Sequence, residues 1–207
     1  MTEKDIYNNI NEILINNQKP SNEIKKLIDE GEFDKRPLDL IKKLITIDQN
    51  KKYHPEGNVL NHVLLVIDEA AKNRALSSDK EIFMWSALLH DIGKLTTTKV
   101  RKGRITSYNH DIEGEHISYD ILDKLGASDY IKNNVSKLVR YHMQPLYFDK
   151  NLPFFEPNKM VKECDYREVA LLSLCDRLGR GGITKDIIDM EHKRIDAFKK
   201  YCNKALK

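Results

Sequence analysis

Residues 82–92 read Ile-Phe-Met-Trp-Ser-Ala-Leu-Leu-His-Asp-Ile, so the segment is apolar around nearly its whole circumference and then ends in an imidazole and a carboxylate. A helix that is apolar on every side has to lie inside a fold. His90 and Asp91 are therefore carried together to the wall of the core, with Gly93 ending the helix and Lys94 just beyond it. A His-Asp pair at a helix end also serves as a cap or an ion pair, so its meaning depends on what the rest of the chain sends to meet it.

Apolar residues recur elsewhere at three- and four-residue spacing, and alternating strand patterns are scarce, which predicts an all-α fold. The spacing predicts helices over 4–16 (Ile6, Ile10, Ile13, Leu14), from Ser21 to Gly31, and after Pro37 with Leu38, Ile41, Leu44 and Ile45 as its stripe. A loop over 49–57 comes next. A central helix over 58–72 carries Leu60, Leu64, Ile67 and Ala71 flanked by Val59, Val63 and Val66. Further helices are expected over 79–92, 111–125, 128–142, 165–178 and 185–201. The basic segment 96–108 reads as a loop with a short extended piece at Ile105–Tyr108. Residues 145–158 hold Pro145, Pro153 and Pro157 among Tyr147, Phe148, Phe154 and Phe155, and read as an irregular cover whose aromatics mainly pack, with a lid against which a base stacks as the alternative.

With 207 residues and no repeat or linker, the chain is read as one domain over 1–207. Residues 1–50 are expected as a helical extension, 51–182 as the core that carries the site, and 183–207 as a last helix. The 35 basic and 32 acidic residues balance to +3, which argues against a nucleic-acid coat. No run of about eighteen apolar residues occurs and no leader pattern opens the chain, so no membrane partner and a cytoplasmic location are expected. Cys164, Cys175 and Cys202 are odd in number and far apart, and read as reduced packing residues. Oligomeric state leaves no mark in the sequence.

Three more ionisable residues stand where helical spacing demands apolar ones. His62 lies within the central helix, His142 extends the Ile131, Val135, Leu138 stripe, and Asp176 falls in phase with Val169 and Leu172. Buried alone, such groups cost several kcal/mol, so they are normally paired or bound to metal. For Asp176 the alternative is an ion pair with Arg140, Arg177 or Arg180. His110, with Gly114 four residues on, is a further candidate. Mixed imidazole and carboxylate donors suit Mn, Fe, Co, Ni or Zn. Four ligands make one site with open positions, and six make two ions bridged by an aspartate. Such a centre generates a metal-bound hydroxide at neutral pH and stabilises a phosphoryl group under attack, which points to hydrolysis. Lys94 is placed to neutralise a phosphate, and Arg101, Lys102, Arg104, Arg177 and Arg180 form a further group of candidate phosphate contacts.

On these residues the chain resembles the HD-domain metal-dependent phosphohydrolases: His62, the His90-Asp91 doublet and Asp176 follow that family's H...HD...D order. Tyr53-His54-Pro55-Glu56-Gly57 before His62, Ala87 to Lys94, His110 with Gly114, and Leu138 to His142 are similar to the HD domain of some bacterial tRNA nucleotidyltransferases, over about Asn22 to Arg180. Asn58 stands where that family usually has aspartate, and no nucleotidyltransferase head is evident. The resemblance implies a helical bundle, a centre of one or two divalent ions, and 2',3'-cyclic phosphodiesterase, 2'-nucleotidase or phosphatase activity. It assigns His62, His90, Asp91 and Asp176 as ligands, His110 and His142 to a second ion, and Lys94 and Asp91 to catalysis. The implied substrate is a nucleotide or small phosphate ester, with an RNA 3' end as another partner. A pocket that binds a nucleotide or RNA end without turnover is the alternative.

Overall fold

The computed structural model describes residues 2–205. The helix α1 (Glu3–Asn16) opens on a capping box in which the Thr2 hydroxyl accepts from Asp5 N and the Asp5 carboxylate accepts from Thr2 N. It is followed by α2 (Pro20–Asp29) and the short α3 (Asp39–Lys43), which tightens into a 3-10 turn at Leu44–Thr46. Ile45, expected on the apolar stripe, is exposed because this tightening rotates it out of phase.

The centre of the bundle is α5 (Lys80–Leu89), in which every residue from Ile82 to Leu89 is buried. Asp79 caps it, accepting from Glu81 N and Ile82 N at 3.0 and 3.1 Å. Beside it runs α4 (Val59–Asn73), whose apolar residues Val59, Leu60, Val63, Leu64, Val66 and Ile67 are all buried. Asn58 is the cap of α4, its side chain accepting from Asn61 N at 2.9 Å. Asn and Asp cap comparably well, so the departure at this position leaves the local structure intact.

The helix expected over 79–92 ends at Leu89, and the next residues turn through Ile92 and Gly93 into the single turn α6 (Lys94–Thr97). The segment read as a loop is a two-stranded hairpin, β1 (Lys99–Arg101) antiparallel to β2 (Arg104–Thr106). Lys102 and Gly103 both have positive φ, 49° and 74°, as a tight two-residue hairpin turn requires. Then come α7 (His110–Lys124) and α8 (Asp129–Tyr141), packed against each other, with α8 also on α5.

The expectation of an irregular cover over 145–158 holds for 150–156 and is corrected at both ends. Prolines at helix starts build α9 (Gln144–Asp149) and α10 (Pro157–Glu163) there, because a proline in the first turn forfeits no intrahelical hydrogen bond. The last helices, α11 (Tyr166–Leu178) and α12 (Lys185–Ala205), pack on each other, and α11 also lies along α4 and α5. Gly179 ends α11, where an added Cβ would stand 2.7 Å from Val66 Cα, so its lack of a side chain lets the end of α11 meet α4. Among the described residues no helix is long and apolar enough to cross a membrane.

The first helices close the other side of the core. Tyr7 stacks on Trp85 with ring centroids 5.1 Å apart, its hydroxyl donates to Glu81, and Trp85 Nε1 donates to Asn11 Oδ1 at 3.1 Å. Tyr7→Ala removes the buried ring and is expected to lower unfolding free energy by about 3–5 kcal/mol. Urea denaturation measures it, and an unchanged midpoint would mean that α1 adds nothing to the core.

Candidate metal centre

Six side chains from five parts of the fold meet at one buried point. His62 comes from the middle of α4, His90 and Asp91 from the end of α5, His110 from the start of α7, His142 from the end of α8 and Asp176 from α11. All six are buried. His62 Nε2 donates to Asp176 Oδ1 at 2.9 Å and lies 3.7 Å from Asp91 Oδ2. His90 Nε2 is 3.4 Å from both His62 Nε2 and Asp91 Oδ2, and 4.0 Å from Asp176 Oδ1. On the other side of the same carboxylate, His110 Nε2 is 3.4 Å from Asp91 Oδ1. Five of the six form two compact triads, His62-His90-Asp91 and Asp91-His110-His142, each with its atoms within 4.8 Å of one another, and Asp91 belongs to both; Asp176 stands beside the first triad through His62.

The backbone selects which ring nitrogen faces inward. His90 Nδ1 donates to Ala87 O at 2.9 Å, His110 Nδ1 to Ser107 O at 2.8 Å and His142 Nδ1 to Val139 O at 2.6 Å. In each case the acceptor is the carbonyl three residues earlier, and His90 and His142 stand at helix C-caps, where carbonyls are free of intrahelical partners. With Nδ1 occupied, Nε2 is left as the inward donor atom. His62 lies mid-helix, and Glu56 takes that place: its Oε1 is 3.0 Å from His62 Nδ1 and accepts from His54 Nδ1 at 2.9 Å, while Oε2 accepts from Gly181 N at 3.2 Å.

The charges are balanced tightly. Burial raises the Asp91 carboxyl, but the Lys94 cation and the neighbouring His90 hold it well below the ordinary carboxylate range. Asp176 is likewise held well below it, with Arg180 and His62 outweighing burial. Burial opposes a charge on His62, yet the hydrogen bond to Asp176 and the nearby carboxylates raise its pKa. His110 is pushed down to about 3, chiefly by burial, and His142 is lowered by burial and by His90. These directions leave the two aspartates as anions and His110 and His142 as neutral bases, the protonation states that metal coordination requires, whereas the shift on His62 favours its protonated form, so an ion bound there would displace a proton. The Nε2 atoms of His62 and His90, 3.4 Å apart, and Asp91 Oδ2, 3.7 and 3.4 Å from them, make a triangle of donors that fits a divalent cation.

Close approach of the elements depends on two glycines. A Cβ at Gly93 would collide with the His110 carbonyl and stand 2.5 Å from Gly114 N, and one at Gly114 would stand 3.0 Å from Val139 Cγ1. The turn after the His-Asp doublet thus rests directly on the first turns of α7, which brings His110 to Asp91.

A cavity of about 530 Å³ opens onto the centre, lined by Asp91, His110 and Asp176 and by Lys94, Lys150, Arg177, Arg180 and Arg194. Lys94 Nζ donates to Asp91 Oδ2 at 2.7 Å and to Gln49 Oε1 at 2.8 Å. Arg180 Nη2 is 3.5 Å from Asp176 Oδ1, which realises one of the ion pairs expected for Asp176; Arg140 instead bonds Asp111 and Glu156, at 2.9 and 3.0 Å. The remaining candidate phosphate contacts are placed differently. Arg177 reaches the cavity wall but is buried in an ion pair with Glu191. Arg101 and Arg104 stand exposed on the hairpin, outside the lining of this cavity, with Arg101 over the Tyr108 ring at 4.9 Å. Lys102 is exposed at the hairpin turn.

Comparison with known proteins agrees with this architecture. The HD domain profile matches residues 59–181, which contain all six donors. The chain belongs to the HD domain family. Members are in general metal-dependent hydrolases of the phosphohydrolase superfamily that bind divalent metals. Among curated relatives, "Multifunctional CCA protein" of Alkalilimnicola ehrlichii is 30% identical over 109 residues, 53% of this chain and 25% of that protein. The proteins of the same name from Azoarcus sp. and Dechloromonas aromatica are 29% and 27% identical, over 79% and 80% of this chain and 39% and 40% of theirs. The chain thus spans between a quarter and two-fifths of the length of these relatives.

Three residues of this HD domain site, Gln49, His54 and Glu56, receive no role from sequence reasoning because they sit in a loop without periodicity. The His-Pro-Glu-Gly string marks the loop but not what its side chains do, which appears only where Glu56 meets His62, His54 and Gly181 and Gln49 meets Lys94. Glu56→Gln keeps the shape but removes the charge behind His62, and is expected to weaken divalent-metal affinity about 10–100-fold. Titration with Mn or Co followed by calorimetry measures this, and an unchanged affinity would show that Glu56 only holds the loop.

Proposed function

We propose that this HD domain protein hydrolyses nucleotide phosphomonoesters or cyclic phosphodiesters, as a 2',3'-cyclic phosphodiesterase, 2'-nucleotidase or phosphatase. The observation that carries the reading is the meeting of two donor triads at Asp91, with Asp176 joined through His62, under a cavity edged by cations. His62, His90, Asp91 and Asp176 would hold one divalent ion, and Asp91 with His110 and His142 would hold a second. An ion held there would supply a water of lowered pKa, toward about 7, and charge to neutralise oxygens of a phosphoryl group.

The protein's own residues supply position and charge. Lys94, fixed between Asp91 and Gln49, presents an ammonium group at the cavity wall, where it binds a phosphoryl oxygen and stabilises charge that grows during attack. Arg180, anchored on Asp176 and partly exposed, adds a second cation on the opposite donor. Arg177 contributes structure, because Glu191 neutralises it. Asp91 orients both halves of the donor set while keeping Lys94 in place. A pocket that merely bound a nucleotide would have no use for a complete inward donor set of this kind. Similarity to proteins called "Multifunctional CCA protein" supports a nucleotide or an RNA end as substrate.

Protein stripped by a chelator and reloaded with Mn, Fe, Co, Ni or Zn is expected to release phosphate or open the ring in a panel of 2'-nucleotides and 2',3'-cyclic nucleotides. Asp91→Ala should lower kcat at least about 100-fold, and Lys94→Ala about 10²–10³-fold. Turnover that survives Asp91→Ala would refute the assignment.

A further inference from the structure

A second cavity, of about 670 Å³, shares a wall with the first. Tyr53, His110, Met143 and Leu146 line both. Beyond that wall the character changes from cationic to aromatic. Tyr147 and Phe154 form the far side, with ring centroids 5.6 Å apart at 59°, and Tyr108 closes the edge. Tyr53, Tyr108 and Phe154 are 57%, 60% and 54% exposed, an unusual concentration of open aromatic surface around one cavity.

The four aromatics of 147–155 are divided between two tasks. Phe148 and Phe155 turn inward and pack on Phe198 and Tyr201, with centroid separations of 5.2 to 6.2 Å. Tyr147 and Phe154 face the cavity and are not needed for that packing. Their segment is nonetheless held in place: the buried Gln144 donates to Phe154 O at 3.2 Å and accepts from Glu156 N at 2.7 Å. Two polar groups border the aromatic surface. The Asn109 side chain makes no hydrogen bond among the described residues, and the Glu156 carboxylate, 43% exposed, is engaged by Arg140 at 3.0 Å.

We propose that this cavity receives the nucleobase of the substrate whose phosphate lies at the His-Asp centre. The inference rests on the phosphohydrolase reading for the position of the phosphate. Its own support is the change of chemistry across His110: cations on one side, flat apolar rings bordered by hydrogen-bonding groups on the other. A molecule that matches both halves is anionic at one end and aromatic with a polar edge at the other. A nucleotide has that form, whereas a sugar phosphate would leave the aromatic half empty. Phe154 and Tyr147 stack on the base, which is tolerant of base identity, and Asn109 and Glu156 meet its edge.

The test uses 2-aminopurine riboside, whose fluorescence is quenched on stacking and which has no phosphate to engage the metal centre. The riboside is expected to bind the protein saturably with quenching. Phe154→Ala and Tyr147→Ala should each weaken that binding about tenfold, with melting temperatures checked against the parent. Leu76→Ala, which removes an exposed apolar side chain elsewhere, should leave the affinity unchanged. Absence of saturable quenching, or quenching indifferent to both aromatic substitutions, overturns the proposal even if nucleotide hydrolysis is intact. Riboside binding that depends on both rings in a protein that hydrolyses no phosphate ester upholds the base pocket while the hydrolase reading falls.

Discussion

A carboxylate placed just past the end of a helix buried from its third residue onward sets the terms for this molecule. Asp91 lies against the core of α5, where an unpaired charge would cost several kcal/mol. Lys94, one turn later, is hydrogen-bonded to one oxygen, and imidazoles of three different helix contexts surround the rest. That neutralisation is possible because α5 is apolar on all sides: packed by α4, α8, α11 and α1, it brings the ends of several elements to one point. A hydrophobic requirement thus produces a polar centre. The elements converge on α5 to cover its apolar surface, and their ionisable residues are delivered with them.

The precision of the centre comes from helix termini. The last carbonyls of a helix lack intrahelical partners, and here two of them hold the Nδ1 atoms of His90 and His142. His110 is held in the same way by the loop carbonyl of Ser107. One device therefore satisfies a backbone group, fixes a ring and selects its inward nitrogen. His62, inside a helix whose carbonyls are already bonded, needs an outside partner, and the loop before α4 supplies Glu56. Loop and centre depend on each other, since Glu56 is also tied to Gly181 beyond α11.

These relations explain which parts of the site are legible in the sequence. His62, His142 and Asp176 betray themselves because each occupies a phase of a helix reserved for apolar residues, and a helix places its side chains by a fixed rotation. No such rule connects residue order to position in a loop, so the roles of Gln49, His54 and Glu56 do not show in the sequence even where their motif does, and nothing in residue order tells that Arg101 and Arg104 stand away from the cavity that Lys94 lines. Gly93 reads as a helix stop; its second role, contact with α7, is a property of packing. Pro145 and Pro157 read as breakers although each stands in the first turn of a helix, where its fixed φ already suits the helical turns after it. Short helices begun by proline lack the length over which periodicity can show.

The division of charge around the cavity arises from the same packing. Glu191 and Arg194 come from α12, outside the span matched by the HD domain profile, yet both line the cavity over the centre. Glu191 bonds Arg177 and Arg194, and Arg194 reaches Asp149 at 3.4 Å, which joins α12, α11 and α9 through alternating charges. Because those two arginines are held by carboxylates away from the donor set, the cations that meet the centre itself are Lys94 and Arg180. Both of these are themselves bonded to donors of the centre, Asp91 and Asp176. Anything that changes the charge held between the donors therefore acts directly on the two cations, so the acidic floor and the basic rim behave as one electrostatic unit.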